Sequence, residues 1–223
     1  MIFLRQVAAI IAKDVAAELR TKENLSAMLV FSLLVLVIFN FAFELKGVDM
    51  VTVGPGILWV AFTFSGILGL GRSFAAEKDK GSLDGILLAP VDRGAILVGK
   101  ALANLIFIGI MEAITLPLFV VLFNVSLPWL PVTLYLLMGT IGFSVVGTLL
   151  SAVSASTRMR EVMLPVLLFP VLVPLFIAAV KTTSGAMAGQ AFSDYSSFFN
   201  LLLAFDVIFI VVAYLVFEYV VEE

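Results

Sequence analysis

Two carboxylates fall inside long apolar runs, Glu112 within residues 98–123 and Asp206 within 198–217. A charged carboxylate at such depth costs about 2.5–3.5 kcal/mol on insertion scales, so it faces a bundle interior or carries a proton. Such a group can serve a translocation pathway, or it can simply fasten two helices by hydrogen bonding. Glu112 shares a helical face with Ala101, Asn104, Gly109 and Thr115. That small, polar stripe suits a helix seam or a pathway. Asp206 has Phe209, Ile210 and Ala213 as same-face neighbours, a less polar setting.

The other chemically distinct segment is a charged break at residues 72–93. Gly81 and Ser82 read as a turn and N-cap, with Asp84 in the first turn, where the helix dipole favours an anion. Leu83, Ile86 and Leu87 make one apolar face, Pro90 stops the helix, and Asp92 can cap the next one. A short helix with an apolar face at the membrane surface could receive a push from a motor. It could equally pack on its own bundle.

Absences narrow the chemistry. With no His and no Cys, the chain lacks disulfides, most zinc ligands, Cys–His nucleophiles and the usual ligands of haem iron. Met111, Met138 and Met163 read as apolar packing, and nothing marks Tyr135, Tyr195, Tyr214 or Tyr219 as an activated phenolate. No catalytic residue, metal site or bound cofactor is expected. Residues 94–101 nearly spell a phosphate-binding loop, but Ala101 stands where a magnesium-ligating hydroxyl belongs and no strand precedes it. If nucleotide energy is used, another chain supplies the ATPase.

The elements that must position these groups are membrane helices. Hydrophobic residues make up 62% and charged ones 13% of 223, against about 25% charged in a soluble protein. Six runs, near 25–44, 53–71, 98–123, 130–155, 162–180 and 198–217, are long enough to span. The expected fold is an all-α integral membrane protein in a six-helix bundle. Eleven of the 13 Lys and Arg residues fall on one side, leaving Lys46 and Lys181 on the other, so both termini and the charged break are expected in the cytoplasm. Nucleic-acid binding has no support, because the basic residues track topology.

Residues 1–24 form a separate unit. Leu4, Val7, Ala8, Ile11, Val15 and Leu19 repeat at helical spacing, as in an amphipathic helix lying in the bilayer interface. Glu18 sits at the edge of that face, and Lys13-Asp14 argues against a signal peptide. This helix is a plain anchor or an elbow that sets the bundle against a partner. The fourth run carries the small-residue spacings Ser144-x-x-x-Thr148 and Gly147-x-x-x-Ser151, which permit close helix approach. Pro165, Pro170 and Pro174 predict a kinked or broken fifth helix. Residues 181–197 form a polar outer-side segment, long enough for a short surface or re-entrant helix.

Residues 77–100 resemble the cytoplasmic loop of ABC-2-type exporter permeases. More narrowly, Gly54-Pro55-Gly56-Ile57-Leu58-Trp59-Val60, Arg72-Ser73-Phe74, Gly81-Ser82-Leu83 and Leu87-Leu88-Ala89-Pro90 together resemble the haem exporter B family of cytochrome c maturation. Pro170-Val171-Leu172-Val173-Pro174 is similar to that family's fifth-helix pattern. The pattern departs at Gly71, where the family commonly has Glu.

The resemblance implies a type II, six-helix permease over residues 25–223. Its cytoplasmic coupling loop would be 72–97, with Gly81, Ser82, Leu83, Asp84, Ile86, Leu87 and Pro90 forming a helix that docks on an ABC ATPase. Trp59, Glu112 and Asp206 become candidates for a pathway or seam. Also implied are a second copy of the chain, a haem-handling membrane partner, ATP on the partner subunit, haem handled by the complex and a bacterial inner membrane location. An exporter of a drug, glycan or lipid, and a non-transporting coupling subunit, remain alternative readings.

Overall fold

Lipid offers the backbone no hydrogen-bond partner, so long apolar runs must satisfy their own amides as helices. The computed structural model describes residues 2–44, 49–79, 81, 82, 85, 88–155, 157 and 159–222. Among the described residues there are helices and no strand: α1 Ile2–Thr21, α2 Glu23–Glu44, α3 Met50–Ser73, α4 Ala75–Asp79, α5 Arg93–Phe123, α6 Trp129–Ala155, α7 Arg160–Met187 and α8 Phe192–Glu222. Six of them, α2, α3, α5, α6, α7 and α8, are long and apolar enough to cross a membrane. Every run read from the sequence lies inside one of these six. The helices overshoot those runs because polar residues at their ends continue the helix beyond the hydrocarbon. At 31 residues each, α5 and α8 are about 46 Å long, well past a core of about 30 Å.

The bundle is built around α3 and α6. In each, 61% of the apolar window is buried, against 22% in α2 and α8. Small residues on α6 let its neighbours in. The site of a Cβ on Gly139 is filled by the Trp59 ring of α3, and that on Gly142 by Asp206, Leu175 and Phe205. Ser144 donates to the Ala101 carbonyl of α5 (2.7 Å), and Ser151 to the Leu70 carbonyl of α3 (2.6 Å). The small-residue spacings are therefore seams on several sides of α6.

Two expectations need correction. Of the two outcomes expected from the three prolines, a kink or a break, the break does not occur, since α7 is continuous from Arg160 to Met187. Leu164, Leu168, Leu172 and Leu175 form one fully buried ridge against the bundle, and that packing holds the helix through the missing N–H groups. Nor do residues 181–197 form a separate surface or re-entrant helix. Thr182 and Thr183 are buried and bond back to the carbonyls of Ala178 and Ala179, so α7 runs on. It ends at Gly189, whose φ of +64° is the left-handed conformation glycine adopts without strain. The Gly189 N–H donates to Ala186 O and the Gln190 N–H to Gly185 O, the paired bonds of a Schellman turn. Two residues on, α8 begins.

α1 joins α2 through one left-handed residue, Lys22 (φ 55°). Glu18, a blemish in the amphipathic pattern, accepts the Leu25 N–H at 2.7 Å and so caps α2 across this elbow. α1 then lies along α5, with Ile10 filling the space beside Gly99.

Candidate functional site

α5 starts at Asp92, whose Oδ1 accepts the N–H groups of Gly94 and Ala95 at 2.8 and 3.4 Å, as its sequence position predicts. The glycines of the phosphate-loop lookalike are packing surfaces, Gly94 against Tyr214 and Gly99 against Ile10. Its lysine is an ion-pair partner. The side chain of Lys100 is only 3% exposed, and its Nζ lies 2.9 Å from Glu77 Oε1 and 3.1 Å from Asp14 Oδ2. Nζ also donates to the Ser73 carbonyl (3.0 Å) and stands 5.3 Å over the Phe74 ring. Lys13 pairs with Glu77 and, at 3.2 Å, with Asp14. Burial works against the charge on Lys13, but the hydrogen bond it donates to Glu77 and the attraction of both carboxylates outweigh it and hold the ammonium above the usual lysine pKa.

Two cations and two anions thus join α1, α4 and α5 in one neutral, partly buried cluster. The far side of the loop is tied to the same helix, where Gln6 Nε2 donates to the Pro90 carbonyl at 3.2 Å. Gln6 and Lys13 are two helical turns apart on one face of α1. One helix therefore holds both ends of the loop.

Between those ties, Gly81 turns the chain at φ +65°, its N–H bonded to Lys78 O. The Ser82 hydroxyl donates back to Glu77 O at 3.2 Å. Leu83, Asp84, Ile86 and Leu87, which carry the expected docking face, lie outside the described residues. Leu88 is 87% exposed. Arg72 stands 3.7 Å from Glu23 of α2 on the surface. With Gly71 in place of an acid, the carboxylate that Arg72 meets is Glu23, while Glu77 binds Lys13 and Lys100.

Deeper in the bundle, the polar stripe on α5 is spent on contacts with other helices. Asn104 donates to Ser73 Oγ (3.2 Å) and Thr148 Oγ1 (2.9 Å). Glu112 accepts from Thr140 at 2.6 Å, and Thr115 bonds Ser32 at 3.0 Å. Gly109 is the exception, with open space where a Cβ would lie. Trp59 is buried and donates to Thr183 Oγ1 at 3.2 Å. Asp206 is buried against Gly142, and its Oδ1 has no hydrogen-bond partner among the described residues. The two intramembrane acids are not brought together. They meet α6 at Thr140 and Gly142, about 200° apart around that helix.

Sequence reasoning passed over Lys13, Asp14, Glu77 and Lys100 as a group. Their signal was present in an ion pair set into an amphipathic helix and a lysine at the third position of an apolar run.

The fold and its sealed polar seams define an all-α integral membrane protein with six membrane-spanning helices. The chain belongs to the CcmB protein family, whose model matches residues 5–222. It is 31% identical over 186 residues to the heme exporter protein B of Rhodobacter capsulatus, covering 82% of this chain and 84% of the relative. The protein of the same name from Paracoccus denitrificans is 30% identical over 184 residues, 81% and 84% of the two chains. That of Bradyrhizobium diazoefficiens is 26% identical over 207 residues, 92% of each.

Proposed function

We propose that this chain is the permease subunit of an ABC transport machine for cytochrome c maturation, a dimer driven by two separate ATPase subunits. Its relatives' name assigns them to haem export, and the match runs nearly end to end. The observation that carries the coupling is the hold of α1 on both ends of the loop, through Lys13 and Gln6. A displacement of the loop by a docked ATPase moves α1 and, through Lys100, the start of α5. The Lys and Arg bias supports a cytoplasmic side for this end of the bundle, in a bacterial inner membrane on this reading. Haem in the assembly is held by a partner. Here the hydroxyls of Tyr135 and Tyr195 bond each other at 3.2 Å, and Met111 is fully buried among apolar side chains.

A second reading, a subunit that transmits conformational change without passing a solute, is favoured by the closure of α5's polar residues into seams. Purification of the tagged chain in mild detergent, with identification of its companions, tests the proposal. An ABC ATPase and a haem-handling membrane protein are expected. A glycosyltransferase or a drug-resistance ATPase in their place would overturn it.

A further inference from the structure

Beside the ion cluster, a cleft of about 400 Å³ opens between α1, the first turn of α2, the end of α3 and α5. Two oxygens of its lining residues, Glu77 Oε2 and Asn24 Oδ1, are buried yet accept no hydrogen bond among the described residues. Buried acceptors are ordinarily satisfied, so two in one cleft ask for a donor from outside the chain. Arg72 lines the same cleft, 56% exposed and only loosely paired with Glu23. Phe107 supplies an apolar wall deeper in. The cleft lies where the spanning helices α2, α3 and α5 meet the amphipathic α1, the depth at which lipid headgroups sit.

We propose that this cleft seats a phospholipid headgroup carrying a primary ammonium and a phosphodiester, as in phosphatidylethanolamine. The ammonium donates to Glu77 Oε2 and Asn24 Oδ1, and the phosphate pairs with the Arg72 guanidinium. A quaternary choline has no N–H to donate, and a glycerol headgroup leaves the lipid's negative charge uncompensated in a cleft that Asp14, Glu18, Glu23 and Glu77 also line. The bound lipid would then brace the joint between α1 and the loop. The inference rests on membrane placement alone and is independent of what the machine transports.

Native mass spectrometry of the full chain, exchanged into micelles doped with defined lipids, tests it. Phosphatidylethanolamine should be retained about tenfold over phosphatidylcholine, the factor expected for a lost charge-assisted hydrogen bond. Retention should fall stepwise through the monomethyl and dimethyl headgroups, a comparison that needs no variant. Asn24→Leu and Arg72→Gln should each lower phosphatidylethanolamine retention several-fold while helicity by circular dichroism is unchanged. Equal retention of the ethanolamine and choline lipids, or a preference for phosphatidylglycerol, would overturn the assignment. So would displacement of the lipid by soluble phosphoethanolamine at matched concentration, which would make the ligand a free phosphoamine.

Discussion

Removing an opposite pair from the cluster at the loop should cost less than the two single removals added together. Lys100 Nζ lies 2.9 Å from Glu77 Oε1 with its side chain almost wholly buried. At an effective dielectric near 20, unit charges at that spacing attract by about 6 kcal/mol, much of it offset by desolvation. Glu77→Gln leaves two ammoniums facing one carboxylate. Lys100→Met leaves two carboxylates facing one ammonium, while keeping an apolar stem over Phe74. Each single change should cost about 3 kcal/mol, the low end for a broken buried pair, because Lys13 is partly exposed and can relax toward water. The double variant keeps the neutral Lys13–Asp14 pair, so its loss should fall short of the sum by about 2 kcal/mol. Reversible unfolding in mixed micelles, followed by far-UV circular dichroism, measures all four corners of the cycle. Strictly additive losses would refute the description of the cluster as one coupled joint.

Three further outcomes are expected. Gly139→Ala drives a methyl into the Trp59 ring and should destabilise the protein by about 1–3 kcal/mol, read in the same unfolding assay. Glu112→Gln keeps an acceptor for Thr140 and should leave expression and activity near normal, while Glu112→Leu lowers yield; an inactive but well-expressed Gln variant would instead place Glu112 in a working pathway. Leu87→Asp should reduce ATPase co-purification while the permease still inserts and folds, because it buries an unpaired charge in the proposed contact.

The spanning helices were legible because hydropathy sums over about 20 residues, and no single misreading changes such a sum. Asp92 as the cap of α5 was legible because capping is local. The joint was not, since it pairs Gln6 with Pro90, Lys13 with Glu77 and Asp14 with Lys100, partners 84, 64 and 86 residues apart. Small-residue spacing marked α6 as a surface for close approach, but spacing alone does not name the side chain that arrives. Trp59 and Asp206 are known as the occupants of Gly139 and Gly142 only from the fold. The prolines of α7 left a kink and a break equally open because proline chemistry is a local rule, and the buried leucine ridge that keeps the helix continuous is visible only in the fold.

Holocytochrome c content, read by haem-dependent peroxidase staining and reduced-minus-oxidised spectra, tests the central claim most directly. Cells lacking this chain should lose c-type cytochromes while retaining b-type ones. The wild-type gene should restore them, and the gene carrying Leu87→Asp should not. Normal c-type cytochromes in the deletion strain would contradict the proposed place of this permease in cytochrome c maturation.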